Sequence, residues 1–313
     1  MHYDCLTIGN SVIDAFLSLA DDNPSLKLDK PEGMLCVPYG QKLSLSACEF
    51  LLGGNATNVA VGLSRLGFST ALIAELANDE FSEKILNGLK KEKVKLDLLK
   101  RSDGQSSFSI GINFKGERTL FVEHHDREHD FSFDDIDTKL MYLTSLGHKW
   151  QHVYTRVSHY LQTHPSTLLA FNPGSIQIRE GMSNFAFLLP LTTVLFLNRE
   201  EAEVLLKKKT DIKDLLLLLK EKGPKVVVIT DGEKGSYCID ERGSIYHKES
   251  LKVPVIERTG AGDAYATGFA AAYLLRLPVD TCMLWGTHNA ASVIGQTGAE
   301  AGLLTKKEIE IKQ

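Results

Sequence analysis

Along most of the chain, short β-branched runs alternate with longer stretches of helical periodicity. "CLTIG" near the start reads as a strand, "TTVLFLN" runs into the helical "REEAEVLLKKK", and "DLLLLLKEKG" precedes the β-branched "PKVVVITDG". Strands and helices joined by short connections predict an α/β fold, a mainly parallel sheet covered by helices. Two stretches break the rhythm. In "SSFSIGINFKGERTLFVEHH", Phe108, Ile110, Ile112 and Phe114 recur at period two, a turn falls at Lys115 to Glu117, and the chain returns through Leu120 and Val122. That pattern predicts an antiparallel hairpin. "MLCVPYGQKLSLSACEFLLGG" also reads as strands, with Pro38 and Gly40 between them. Two extended segments inserted early in an α/β chain predict a small separate sheet, a lid over the main domain.

With 313 residues, the chain is long enough for one large domain or one domain plus a smaller one. Its composition, 43% hydrophobic and 24% charged, is that of an ordinary globular protein, without repeat, linker or low-complexity tract. The net charge of -5 supplies no basic field for nucleic acid or anionic lipid. "KKK" at Lys207 to Lys209 reads as a solvated helix face. No run approaches the roughly 20 apolar residues of a membrane span, and the N-terminus has no basic region before an apolar one, so a cytoplasmic protein is expected. Five scattered cysteines without CxxC spacing read as reduced thiols rather than a disulfide framework or a zinc site.

Four glycine-containing stretches carry candidate chemistry. In "GGNATNVAVGLSRLG", Gly53 and Gly54 permit close backbone approach, Thr57 or Asn55 is placed to cap, and Val59, Ala60, Leu63 and Leu66 form one helical face. Asn55 and Asn58 then lie in the first turn, where their amides suit the hydroxyls of a polyol, although the stretch equally describes a plain capped helix. In "FLNREEAEVLL", Asn198 and Glu201 follow a strand. They suit either a helix cap with acids on the dipole or a carboxylate and amide holding hydrated Mg²⁺ at the C-terminal edge of the sheet. "VVVITDGEKGSY" ends a buried strand in Thr230, Gly232 and Gly235, whose hydroxyl and N–H groups suit phosphate oxygens or a simple turn.

The fourth stretch, "RTGAGDAYATGFAAAYLL", is the most specific. Thr259, Gly260, Ala261 and Gly262 open a helix whose small side chains leave its N-terminal amides accessible as an anion hole. Asp263 sits at the mouth of that hole, where a bound anion would repel it. A structural acid on the helix dipole is one explanation; the other is a general base that takes a proton from an attacking hydroxyl beside a transferring phosphoryl group.

These stretches together resemble the ribokinase-like, or PfkB, carbohydrate kinases over nearly the whole chain. "GGNATN" is similar to the family's N-terminal signature, "NREE" to its NxxE element, "TDGEKG" to its TxGxxG nucleotide loop and "TGAGDAYATG" to its C-terminal signature, in the family's order. The resemblance implies a three-layer α/β/α domain with a β-sheet lid built from segments near 11–19, 34–51 and 105–125. It implies transfer of the γ-phosphoryl of ATP to a sugar hydroxyl, with Asp263 as base and Gly260, Ala261 and Gly262 as anion hole. Asn198 and Glu201 would organise Mg²⁺, Thr230, Gly232 and Gly235 would meet the nucleotide, and Asn289 would lie near adenine. Asp14, Gly53, Gly54, Asn55 and Asn58 would grip the acceptor, and a homodimer through the lid is expected. Nucleoside kinases share these motifs and are the alternative, and a non-catalytic sensor on the same scaffold is a third reading. Relatives often carry Asp-Thr where this chain has Glu257 and Arg258, in a region that helps bind an activating monovalent cation, so potassium dependence is open. Arg118 and Arg127 would read an acidic acceptor or lie on the lid's wet face. His124, His125 and His129 read as solvated residues at the hairpin's end.

Overall fold

The computed structural model describes residues 1–29, 34–115, 117–123 and 125–312. The main sheet runs in the order Ile245–Lys248, Ser236–Ile239, Val226–Thr230, Val194–Asn198, Leu168–Phe171, Asp137–Leu143, His2–Ile8, Thr70–Ile73. Neighbours from Val226–Thr230 onward pair in parallel, and the two strands at the opposite edge are antiparallel.

Period two divides each continuous apolar strand between two cores. Val227, Ile229, Leu195, Leu197, Met141 and Leu143 face the helices Gln151–Thr163 and Ile212–Lys220, while Val226, Val228, Val194, Phe196 and Tyr142 face Asn55–Arg65, Ala261–Leu274 and Val279–Ile294. A sheet covered on both sides needs such unbroken runs, and the result is three layers, helix, sheet, helix. No helix among the described residues is long and apolar enough to cross a membrane. All five cysteines are free.

A second sheet orders Glu117–Glu123, Phe108–Phe114, Val12–Leu19 and Leu45–Gly53. Asp14 stands opposite Leu51 on one side and Ser109 on the other. Its apolar face is partly covered by the chain itself: Phe108 meets Phe81 edge-on at 4.6 Å, and Phe114 is buried with Leu19 and Leu26. Ile110 and Phe121 stay exposed. The stretch 34–51 was expected to contribute throughout to this sheet, but Met34–Cys36 pairs instead with Lys27–Asp29 in a separate ribbon. Pro38, without an N–H, and Gly40, at φ +71°, break the chain away before Leu45.

Candidate active site

Two helix N-termini meet beneath the small sheet. The helices Asn55–Arg65 and Ala261–Leu274 approach closely because Gly62 has no side chain; a Cβ there would lie 2.6 Å from Thr267 Cγ2. Asp263, in the first turn of the second helix, is buried at this junction. Asn55 Nδ2 donates to its Oδ1 at 3.0 Å and Asn58 Nδ2 to its Oδ2 at 2.8 Å. Burial pushes the Asp263 carboxyl up to about 6, outweighing the two amide hydrogen bonds that favour its charge. A carboxyl at about 6 is mostly ionised at neutral pH and close to its titration range.

The first helix starts differently from expectation. Its N-cap is Gly54, at φ +94°, where a Cβ would lie 2.5 Å from the Asn10 carbonyl, and no side chain caps it. Asn55 and Asn58 turn to Asp263 instead, and Thr57 Oγ1 is buried with no partner among the described residues.

Gly260 caps the second helix in the left-handed region, at φ +77°, and a Cβ on it would lie 2.4 Å from Ala299 Cβ. The amides of Gly262 and Asp263 have no partner among the described residues, while Ala261 N donates to Arg258 O at a long 3.3 Å. The space that a Cβ on Gly262 would occupy is open. Two amides without partners among the described residues, a positive helix end and an open face are features able to receive an anion.

Asp14 enters from the small sheet. A Cβ on Gly53 would lie 2.2 Å from Asp14 Oδ2, so that glycine makes room for the carboxylate. Burial pushes the Asp14 carboxyl up to about 6; the Ser109 hydroxyl and the Arg118 charge favour ionisation, and Glu257 and Asp263 oppose it. One carboxylate from the small sheet and one from a helix N-terminus thus lie close enough for the Asp263 charge to act on Asp14.

At the far side, Asn198 and Glu201 form a capping box: Asn198 Oδ1 accepts from Glu201 N, and Asn198 N donates to Glu201 Oε2, both at 2.8 Å. Burial raises the Glu201 carboxyl, and the Asp263 charge adds to this. Tyr142, which the sequence hides inside the apolar run "LMYL", is buried in the core beside Phe196, within reach of both carboxylates' charge. Its hydroxyl is buried without a partner among the described residues, and burial, Asp263 and Glu201 all oppose its ionisation.

Thr230 ends its strand beside Gly232, at φ +53°, and Gly235, where a Cβ would lie 2.0 Å from the Lys248 carbonyl. The segment after Lys248 runs past this loop, tied by Ser250 Oγ to Glu233 O and by Arg258 to Glu233, and it leaves Val255 and Ile256 exposed. Asn289 does not present its amide there. Its Nδ2 donates to Ala264 O at 2.7 Å and its Oδ1 accepts from Leu304 N at 2.9 Å, tying its helix to the helix Ala261–Leu274 and to the segment around Leu304.

Three expectations for the charged hairpin change. Arg118 lies on the inner face, paired with Glu257 and Thr259, rather than on a wet outer face or aimed at an acceptor anion. Arg127 is buried, donating to Ser102 Oγ and Gln105 O. His129 is buried, not solvated; its backbone N–H donates to Glu75 Oε2, and burial holds its imidazole down at about 4. His125 is half-buried, and His124 lies outside the described residues.

Residues 35–306 match the model of the pfkB family of carbohydrate kinases. A sugar kinase of Archaeoglobus fulgidus is 27% identical over 249 residues, covering 78% of this chain and 98% of that protein. Among solved structures, the ribokinase of Arabidopsis thaliana with ribose and ATP superimposes with a TM-score of 0.81 at 16% identity, covering 100% of this chain and 99% of the other. The adenosine kinase of Sinorhizobium meliloti gives 0.80 at 23% identity, covering 99% of each chain. A match to the family model over most of the chain, with the C-terminal signature at the junction of the two helices, places this protein in the pfkB family of carbohydrate kinases: it is a kinase of that family.

Proposed function

We propose that the chain transfers the γ-phosphoryl group of ATP to a hydroxyl of a neutral sugar, with Asp263 as general base. One observation carries this reading. A buried carboxylate with its pKa raised to about 6 stands beside two free amides of a helix N-terminus, an arrangement that sets a proton acceptor next to groups able to hold phosphoryl oxygens.

The acceptor hydroxyl would approach Asp263 from the Asp14 side, displacing the amide of Asn55 or Asn58 from one carboxylate oxygen. As its oxygen forms the new O–P bond, its proton passes to Asp263, and the bond to the leaving ADP oxygen breaks. Charge on the phosphoryl oxygens is met by the Gly262 and Asp263 amides, already oriented before reaction. Thr230, Gly232 and Gly235 would take the nucleotide's phosphates, with exposed Val255 and Ile256 as the apolar wall for its base.

Charge selects the acceptor class. Asp14 carries its carboxylate within reach of the Asp263 charge, and Arg118, the guanidinium whose charge reaches Asp14, is committed to Glu257. A sugar phosphate or sugar acid would meet two carboxylates without a free counter-charge, whereas neutral hydroxyls find acceptors in the carboxylates and donors in the Asn55 and Asn58 amides. ADP formation measured over a panel of neutral sugars, sugar phosphates, sugar acids and nucleosides tests this. Neutral sugars should exceed their anionic counterparts at least about tenfold in kcat/KM. Preference for an anionic acceptor or a nucleoside would overturn the acceptor class, and no transfer to any acceptor would overturn the reading itself.

The site suits Mg²⁺ carried by the nucleotide. Among the described residues there is no cluster of three or more metal-ligating side chains. Mg²⁺ bound to phosphates keeps most of its waters and needs one or two protein oxygens. Glu201, one carboxylate oxygen of which has no partner among the described residues, and Asn198 would supply these. When bound, the ion would neutralise charge on the phosphates. Glu201→Gln should raise the Mg²⁺ needed for half-maximal rate severalfold; an unchanged Mg²⁺ titration would leave Glu201 with its capping role alone.

A further inference from the structure

We infer that Arg118 is a positioning residue: by pairing with Glu257 and Thr259 it latches the small sheet onto the turn that opens the anion-hole helix, so that docking of the sheet and completion of the hole are one event. The inference rests on the phosphoryl-transfer reading for its consequence, and on the following contacts for its geometry.

Arg118 belongs to the strand Glu117–Glu123, yet its guanidinium leaves the sheet. It lies 4.3 Å above the Phe16 ring, and its Nε donates to Asn113 Oδ1 at 2.9 Å. Gly111 makes this path possible, since a Cβ there would lie 2.9 Å from Phe16 Cδ1 and 3.2 Å from Arg118 Nε. The side chain is thus aimed by the small sheet before it reaches the large domain. There Nη1 donates to Glu257 Oε1 and to Thr259 Oγ1.

Glu257 relays the contact. Its side chain is 5% exposed and that of Arg118 14%. Its other oxygen, Oε2, accepts from Gly298 N at 2.9 Å. Gly298 also accommodates Leu51 of the small sheet, where a Cβ would lie 2.6 Å from Leu51 Cδ1, and its neighbour Ala299 packs on Gly260. From Arg118 the contacts therefore run by two routes to Gly260: directly through Thr259, and through Glu257 and the Gly298–Ala299 turn.

A buried ion pair is a weak source of stability, because desolvation cancels most of the attraction, but breaking it from one side is costly, because the other charge stays buried alone. If the small sheet lifts, Glu257 loses the partner of Oε1 while the large domain still encloses it. That asymmetry favours the docked sheet and one geometry of the turn. Asp14, the acceptor group, rides on the same sheet, so the arrangement completes the hole where the acceptor is held and water is excluded.

The test combines hydrogen exchange with kinetics on the full chain, using Arg118→Met, Glu257→Gln and the double variant, with ADP as the binding probe. Arg118→Met should speed exchange of the Ala264 amide, which donates to Gly260 O, and of the Gly298 amide, which donates to Glu257 Oε2, by tenfold or more, although both lie in the other layer of the site. Glu257→Gln should speed exchange at 118–122 to a similar degree. The double variant should be no worse than either single one, since both remove one contact. Phosphoryl transfer should fall about 10- to 100-fold in kcat in each, with ADP binding changed less than threefold. Arg118→Lys, which keeps the charge and the fold but not the fork, should give intermediate exchange and rate. Exchange changes confined to the neighbourhood of each substitution, additive losses in the double variant, parental behaviour of Arg118→Lys, or a loss in Arg118→Met limited to KM for anionic acceptors would each overturn the latch. Because exchange needs no turnover, failure of the latch is distinct from failure of the kinase reading, which would show as absent ADP formation in the parent protein.

Discussion

Asp263→Asn is expected to lower kcat by about 10²- to 10⁴-fold while ADP binding stays within about twofold of the parent. The carboxylate touches the reacting hydroxyl in the proposed mechanism and nothing in the nucleotide loop, so the loss should fall on the chemical step. Retention of most activity would remove Asp263 from the mechanism. Its pKa adds a second signature. With Asp263 and Asp14 both raised to about 6, kcat/KM should decline as pH falls through about 6, more steeply than one proton would give, because both groups must be ionised. Stability moves in the opposite sense. A carboxyl whose folded pKa exceeds its unfolded value near 3.8 binds its proton more tightly in the native state, so stability is lost as pH rises from about 4 to about 6. For Asp263 the cost at neutral pH is about 3 kcal/mol before any rearrangement. The Asn variant should therefore melt at a higher temperature than the parent at pH 8, with the gain shrinking towards pH 4. A variant that is inactive and no more stable at pH 8 would contradict the strain assigned to the buried charge.

Gly53→Ala is expected to raise the acceptor KM by about 10- to 100-fold, by analogy with the cost of a misplacement near 1 Å at a reacting centre. The backbone at Gly53 is not in the left-handed region, so the substitution carries no conformational penalty. Its effect is the methyl group, which would lie 2.2 Å from Asp14 Oδ2 and must push that carboxylate out of the pocket. Because the damage passes through Asp14, Gly53→Ala should add little in an Asp14→Ala background. Equal losses for acceptor and ADP, or full additivity with Asp14→Ala, would instead indicate a general disturbance of the strand Leu45–Gly53.

The two predictions draw on different kinds of information. Asp263 was legible in the chain because small residues before a helix with an acid at its mouth have few purely structural explanations. The Gly53–Asp14 contact was not, because 38 intervening residues carry no record of which strand lies beside which. The α/β alternation was likewise readable, since a strand buried on both faces must be apolar throughout and a helix on its flank must repeat near 3.6. The break at Pro38 and Gly40 was visible in the sequence, but not that Met34–Cys36 would pair with Lys27–Asp29, because a strand's partner is chosen by distant segments.

Local chemistry therefore determined the fold class, the four glycine-rich stretches and the place of the carboxylate proposed as the base. Tertiary structure decided what each polar side chain does with its hydrogen bonds. The family likeness implies a place near adenine for Asn289, whereas its amide bonds Ala264 O and Leu304 N. Asn55 and Asn58 stand beside a helix N-terminus as expected, but serve the Asp263 carboxylate rather than the helix. For Arg118 the sequence allows either an acidic acceptor or the lid's wet face as its partner, whereas its guanidinium pairs with Glu257, 139 residues away. The physical reason is common to all three. Whether a polar group caps, bridges or waits for a ligand depends on which donor or acceptor is brought within about 3 Å of it, and that is set by long-range packing rather than by its neighbours in the chain.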